Sequence, residues 1–247
     1  DLWAFSSYFF ILIPAGHIWK FVTLAYIPPT IAGVVLAYRK KYLLGGIVTA
    51  LFIALQIQSN HIQMSYYFMF VILFFVGAYF EDAYRKKELP HFFKASGVLA
   101  LAAVVGVCIN ISNLYHTYEY SKETMRGKSE LKQEGAAASQ TSSGLDRDYI
   151  TNWSYGIGET LTLLVPNVKG GGSGSTMSQS EAAMAKANPM YNGIYSQLPQ
   201  YFGEQPWTAG PVYVGAFVMF LFVLGCFIVK GPLKWALLGA TIFSILL

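Results

Sequence analysis

Long apolar runs without charged residues are the feature that most constrains how this chain can fold. Of its 247 residues, 54% are hydrophobic and 12% are charged, whereas soluble domains average about 45–50% and about 25%. A helix needs about 20 apolar residues to cross a bilayer, with about 17 as the lower limit. The runs therefore predict membrane-spanning helices rather than the core of a soluble globule.

The predicted fold class is an all-α polytopic membrane protein. We expect about five full transmembrane helices and a partial helix at each end, and we interpret the sequence as an internal fragment because it begins and ends inside apolar patterns. The candidate spans are residues 2–13 (partial), 21–38, 43–57, 62–80, 95–114, 212–229 and 235–247 (partial). Three regions follow: a helix bundle over 1–114, a large external loop or cap of mixed structure over 115–210, and two further helices over 211–247, the second truncated.

Short basic loops predict the sidedness of the chain. The stretch 43–80 would be about 57 Å long as one helix, so we predict a turn at its polar middle, residues 58–63. The basic loops that then share one side are 39–41, 81–94 and 230–234. Because short loops rich in Lys and Arg stay cytoplasmic, we expect the turn and the region 115–210 on the external side.

The region 115–210 changes character along its length. Its first part is charged and then small and polar, and its second part is dense in Tyr and Trp, which is typical of a folded cap lying against the membrane surface. The segment GGGSGSTMSQS, residues 170–180, is predicted to be a mobile loop, and an expression linker is the alternative for its glycine run. No Gly-Lys-Ser/Thr follows it, which excludes a P-loop.

Two polar groups at the predicted external ends of spans are candidates for binding an anionic substrate. His17 and Lys20 can hold the phosphate of a lipid-linked substrate, one as a donor and the other as a point charge. The alternative is that Lys20 only snorkels to the membrane edge. The second group is Asn60, His61, Gln63, Tyr66 and Tyr67, for which helix–helix hydrogen bonding and an aromatic belt are the alternative.

A third group lies in the large loop. Trp153 and Tyr155 offer faces for sugar stacking, and Asp146, Asp148 and Glu159 are weak candidates for a general base. The alternative for any single acid is a solvated surface carboxylate. No metal-ligand pair, nucleophile elbow or dinucleotide fingerprint is found, and the basic residues form no continuous stripe, which argues against a nucleic-acid partner.

Four motifs resemble the YfhO family of bacterial membrane proteins, particularly its Bacteroidetes-type members. They are FSSYFFILIPAGHIWK, QSNHIQMSYY, TNWSYGIGETLTLLVPNVKGGGSG and YFGEQPWTAGPVYVG. The resemblance covers nearly the whole chain and implies that the glycine run is native. His17, Lys20, Asn60, His61 and Gln63 match the family's external-face motifs, and Tyr155, Gly156 and Glu159 match its loop motif.

The resemblance implies a GT-C-type glycosyltransferase of the bacterial cytoplasmic (inner) membrane. Such an enzyme takes a sugar from a polyprenyl-phosphate carrier and modifies a cell-envelope glycopolymer or glycolipid on the outer side. We expect no cofactor beyond the lipid-linked sugar donor, leave the need for a divalent metal open, and expect membrane lipids as partners. The catalytic acid of that architecture is expected upstream of Asp1. A transporter or flippase of an envelope precursor and a non-catalytic envelope assembly factor are the alternatives.

Overall fold

The computed structural model of this chain describes residue 3 and residues 6–124, 151–210 and 212–246. Regular structure in these ranges is helical, apart from one isolated antiparallel bridge between Thr176 and Pro199. The longer α-helices are α1 (Ser7–Leu12), α2 (Ile18–Ala25), α3 (Ile27–Tyr38), α4 (Tyr42–Gln58), α5 (Ile62–Lys86), α6 (Leu89–Ile109), α7 (Ile111–Ser121), α8 (Ala216–Ile228) and α9 (Pro232–Leu246). The shorter elements are the 3₁₀ helices Ile157–Leu163, Met177–Gln179 and Pro189–Tyr191 and the one-turn helices Glu181–Met184 and Asn192–Tyr195.

Three helical stretches are long and apolar enough to cross a membrane. They are Ile18–Tyr38, which comprises α2 and α3, and the helices Ile62–Lys86 and Leu89–Ile109. The helices α4, α8 and α9 are apolar but shorter, at 17, 13 and 15 residues. The described residues therefore form an all-helical chain with three candidate spans, and the count of five full spans stays a prediction.

Two predicted spans have different boundaries in the structure. The stretch 212–229 is helical only from Ala216, because Gly215 has φ +101°, which no right-handed helix accommodates. The stretch 95–114 is interrupted at Asn110, where α6 ends and α7 begins. The Asn110 carboxamide donates to the carbonyls of Gly106 and Ala54 at 3.2 and 2.9 Å, so it ties the end of α6 to α4.

The predicted turn at residues 58–63 is confirmed as a break between two helices. The helix α4 ends at Gln58, and α5 begins at Ile62. Asn60 turns the chain with φ +55°, a left-handed conformation that Asn tolerates better than most residues. The break places Ser59, Asn60 and His61 between the helices, with Gln58 and Gln63 at the helix ends.

The chain forms two compact units. The loop unit consists of Asp1–Gly16 with Tyr118–Met219, and the bundle unit consists of His17–Thr117 with Phe220–Leu247. In the bundle unit, α4 packs against both α3 and α6. A Cβ atom on Gly45 would lie 2.5 Å from the Ala37 nitrogen and 2.7 Å from the Gly33 oxygen, so the backbones of α3 and α4 approach closely because side chains are absent there.

One end of the bundle unit carries the three predicted basic loops. Lys40 pairs with Glu88 at 3.2 Å, and Asp82 lines one recess with Lys230 and another with Lys40. His91 accepts from the Tyr42 hydroxyl at 2.6 Å and donates to the Tyr38 carbonyl at 2.9 Å, so its ring is used to join helix ends. The three loops do share one end, and the compartment that this end faces stays a prediction.

Candidate functional site

The opposite end of the bundle unit brings two histidines and a lysine together. His17 is the N-cap residue of α2, and His61 is the N-cap residue of α5. Neither imidazole caps its own helix, which leaves both rings available for other partners. Lys20 lies within the first turn of α2. We call His17, Lys20 and His61 the cationic cluster.

The electrostatics of His61 show how close these groups are. Burial is the largest cause that lowers the pKa of His61, and the charge of Lys20, followed by that of His17, lowers it further. Charges lower a neighbour's pKa in this way only at short range, because water and salt screen distant ones. Helix α2 also packs against α5, and the three groups stand at the beginnings of these two helices, although they come from two segments about 40 residues apart in the sequence.

No carboxylate of the bundle unit neutralises the cationic cluster. This unit contains three acidic residues, Glu81, Asp82 and Glu88. Glu81 and Asp82 lie in the last turns of α5, which is about 37 Å long at 1.5 Å per residue, and they pair with Arg85 and Lys86. Within its own unit no carboxylate therefore offsets the charge of the Lys20 ammonium, as in an anion-binding site.

Three residues between positions 56 and 65 have buried polar atoms without hydrogen-bond partners. They are Nδ1 of His61 itself, Oγ of Ser65 one turn further along α5, and Nε2 of Gln56 in the last turn of α4. Gln56 is only 3% exposed. An unpaired buried donor costs about 1–3 kcal/mol, and such groups in a native fold call for an explanation, a bound ligand being one.

A hydroxyl pair holds the two segments of this site in place. Thr23 of α2 and Ser59 at the end of α4 are buried, and their hydroxyl oxygens lie 2.6 Å apart. The Ser59 hydroxyl also lies 2.6 Å from the Gln56 carbonyl. These contacts fix α2 against the turn that carries His61.

The other predicted residues of this turn have local roles in the structure. Asn60 is exposed and supplies the left-handed backbone of the turn. Gln63 donates to the Tyr67 hydroxyl at 3.4 Å, and Tyr66 is exposed with its ring edge-on to Phe70. Sequence reasoning missed Gln56 and Ser65, although the four-residue spacing from His61 to Ser65 is the signal that puts both on one helix face.

The loop unit contains a second arrangement, centred on Glu159. This carboxylate is 3% exposed and accepts hydrogen bonds from the Gly156 N–H at 2.8 Å, the Tyr201 hydroxyl at 2.5 Å and the Glu204 N–H at 3.3 Å. We call these four residues the carboxylate clasp. A Cβ atom on Gly203 would collide with Glu159 and Tyr201, so the chain closes around the carboxylate only with glycine there.

The clasp engages both oxygens of Glu159. Burial and the bond to Glu159 raise the pKa of Tyr201 to about 12, which keeps this hydroxyl protonated as a donor. The Tyr201 oxygen in turn accepts from the Gln205 N–H at 2.9 Å. This geometry joins residues 156–159 to residues 201–205, and the role of Glu159 as a general base stays a prediction.

Tyr155 lies beside the clasp at a small recess. Burial, followed by the neighbouring Tyr8 and Glu159, raises the pKa of Tyr155 to about 12. The recess is lined by Tyr155, Glu159, Lys169, Tyr201 and Gln205 together with Gly170 and Gly171. Trp153 is exposed, and its carbonyl accepts from the Gln205 side chain at 2.7 Å.

Backbone hydrogen bonds join the glycine run and Lys169 to residues 200–208. The Phe202 N–H donates to the Lys169 carbonyl at 2.8 Å, the Gln200 N–H to Ser175 at 2.9 Å, and the Ser173 N–H to Thr208 at 2.8 Å. Gly170 has φ +84°, and a Cβ atom there would collide with the Gln200 carbonyl. Glycine is thus required at position 170 by close backbone approach, whereas a Cβ atom on Gly174 would meet nothing within 4 Å.

Two of the predicted acids, Asp146 and Asp148, lie outside the described residues. Within the described ranges, no group of three or more His, Cys, Asp or Glu side chains is placed to hold a metal ion. No family model, curated protein or solved structure matches this chain. The resemblance to the YfhO family stays a prediction from its motifs.

Proposed function

We propose that this protein is a polyprenyl-phosphate-sugar-dependent glycosyltransferase that modifies an envelope glycopolymer or glycolipid on the outer side of the bacterial cytoplasmic membrane. The observation that carries the proposal is the cationic cluster of His17, Lys20 and His61, which has no carboxylate of its unit to neutralise it. A phosphate fits this site chemically. Lys20 supplies a point charge, and the two imidazoles supply donors.

The helix ends add to the attraction for a phosphate. The 25-residue helix α5 and the helix α2 both begin at the cluster, and neither N-terminus has a side-chain cap. Uncapped N–H groups and the helix dipole favour an anion at such an end. The unpaired Gln56, Ser65 and His61 atoms can complete the ligand's hydrogen bonds.

A lipid-linked phosphate is a better match than a soluble one. Residues of the cluster begin the candidate spans Ile18–Tyr38 and Ile62–Lys86. Large apolar side chains next to the cluster, Ile18, Trp19 and Ile62, are exposed. A carrier can therefore keep its isoprenoid chain in the bilayer while its phosphate reaches the cluster.

The chemistry that this site supports is the departure of the carrier phosphate. An acceptor hydroxyl attacks the anomeric carbon, the bond from that carbon to the phosphate oxygen breaks, and the base takes the hydroxyl proton. The products are the glycosylated acceptor and polyprenyl phosphate. Lys20 and the imidazoles would stabilise the negative charge that develops on the leaving phosphate, and the resemblance predicts the base in a loop that precedes Asp1.

The loop unit supports an acceptor role. The exposed rings of Trp153 and Tyr155 offer faces on which sugar rings stack. The recess beside them carries the Lys169 ammonium and the Gln205 amide as hydrogen-bonding groups. These side chains are the candidates for holding the acceptor.

The decisive experiment measures sugar transfer from labelled polyprenyl-phosphate sugar in membranes that contain the complete protein. We expect Lys20→Ala and His61→Ala to lower transfer at least tenfold. The matched control is Lys41→Ala, which removes an exposed lysine at the other end of the bundle unit and should leave transfer unchanged. Full transfer by both cluster variants would overturn the proposal.

A flippase is the second candidate, and one observation favours it. Gln56 and Thr49 are unpaired polar groups inside α4, and transporters place such groups within their spans to bind a solute. The same membranes distinguish the two functions. Movement of the labelled carrier lipid across the bilayer without sugar transfer would select the flippase.

A further inference from the structure

The 3₁₀ helix Ile157–Leu163 of the loop unit buries polar residues and exposes apolar ones. Its polar residues Glu159 and Thr162 are buried, at 3% and 5% exposure, and three-residue spacing puts them on one face of a 3₁₀ helix. On the outer side, Ile157, Leu161 and Leu164 are 94%, 56% and 50% exposed. A segment that faces water has the reverse arrangement.

The exposed apolar surface continues beyond the helix. Val165 and Val168 are also exposed, and residues 160–168 contain no charged side chain. The carboxylate clasp prevents the segment from rotating to hide these residues, because it anchors Glu159 inward by three hydrogen bonds. We call residues 157–168 the apolar ledge.

The position of the apolar ledge points to the surface that covers it. The Leu163 carbonyl accepts from the Val214 N–H at 3.2 Å, and Val214 stands two residues before α8 begins. The helix α8 has no charged residue in its sequence AFVMFLFVLGCFI, and Phe217 in its first turn is exposed. The ledge is therefore fixed beside the point where an apolar helix leaves the loop unit.

The residues that flank the ledge match a membrane interface. Trp153 and Tyr155 precede it and are exposed, and amphipathic rings are enriched at the headgroup level. Lys169 follows it, and its Nζ atom would lie 3.3 Å from a Cβ on Gly158, so an ammonium stands at the edge of the apolar surface. An apolar strip with aromatic and basic edges is the composition of a segment that lies in the interface.

We propose that the apolar ledge inserts into the outer part of a phospholipid bilayer and holds the loop unit on the membrane surface. The occupant of this surface is the lipid itself, with acyl chains against Ile157 and Leu161 and headgroup phosphates within reach of Lys169. This inference does not depend on glycosyl transfer. It applies equally to a flippase or an assembly factor.

The test places nitroxide labels on the complete protein in nanodiscs of phosphatidylcholine with phosphatidylglycerol. Single cysteines replace Ile157 or Leu161 in a background in which Cys108 and Cys226, both free, are changed to alanine. Ile157 is nearly fully exposed, so its replacement keeps the fold. The matched control is Met190→Cys, an exposed apolar site of the same unit at 81%.

Collision with oxygen and with a water-soluble nickel chelate then reports what covers each label. We expect the ratio of oxygen to nickel accessibility to be several-fold higher at residues 157 and 161 than at residue 190. Nickel accessibility equal to that of the control would overturn the proposal, because the ledge would face water. Low accessibility to both reagents would also overturn it, because protein would cover the surface.

Discussion

Removal of the Glu159 carboxylate tests whether the carboxylate clasp holds the loop unit closed. The change Glu159→Ala leaves three donors without an acceptor: the Gly156 N–H, the Tyr201 hydroxyl and the Glu204 N–H. Hydrogen bonds to a charged group contribute about 1.5–3 kcal/mol each. The bond at 3.3 Å belongs to the weak end of that range.

The expected cost is smaller than the sum of three such bonds. Truncation of a residue that is 3% exposed leaves a space that water can enter, and water satisfies part of the lost bonding. We therefore expect a loss of about 3 kcal/mol, which corresponds to about a 100-fold rise in local opening. The change Tyr201→Phe removes one of the three bonds and also the acceptor of the Gln205 N–H, and it should cost about 2 kcal/mol.

Hydrogen exchange detected by mass spectrometry measures this opening on peptides that cover residues 153–163 and 200–206. Exchange in both peptides should accelerate together, because the clasp joins them. The control is Glu181→Gln, which alters an exposed carboxylate of the same unit and should change protection by less than about 0.5 kcal/mol. Unchanged protection in Glu159→Ala would refute the assigned role of the clasp.

Three further predictions concern the bundle unit. Gly45→Ala places a Cβ atom 2.5 Å from the Ala37 nitrogen, so we expect thermal unfolding in detergent to show a loss of stability of about 1–3 kcal/mol. The control Gly77→Ala, with no heavy atom within 4 Å of its Cβ, should be neutral or stabilising. Equal effects of the two changes would contradict the close packing of α3 and α4. Asn110→Leu removes two hydrogen bonds to carbonyls and should cost about 1–2 kcal/mol, measured by the same unfolding; no loss would mean that Asn110 does not tie α6 to α4. Because the pKa of His61 is lowered, the ligand-free protein should lose stability as the pH falls below about 6.5, where the unfolded imidazole takes up a proton more readily. A phosphodiester lipid favours the protonated ring, so its affinity for the parent protein should rise over the same fall in pH, and this rise should be smaller in His61→Gln. An equal pH dependence of binding in the two proteins would contradict this coupling.

The sequence alone was sufficient to predict the all-helical class and the turn at residues 58–63. Uncharged runs of about 20 residues have no stable alternative to helices in a bilayer, and the length of 43–80 requires a break that its polar residues locate at 58–63. Local chemistry also identified His17, Lys20 and His61 as candidate binding residues, in two groups expected on one face. Helix ends were less predictable, since Gly215 and Asn110 end or interrupt helices within apolar runs.

Only the tertiary structure decided which polar groups act together. Glu159 looks like any loop carboxylate in the sequence, and its burial depends on Tyr201, which is 42 residues away. The contacts of the glycine run with the backbone of residues 198–209 are likewise not visible in the sequence. The sequence by itself determined which segments favour a bilayer over water, because transfer into a bilayer depends on the composition of that segment. The hydrogen bonds of the carboxylate clasp and the burial of Gln56 depend on the packed chain. They exist only after segments that are distant in the sequence meet.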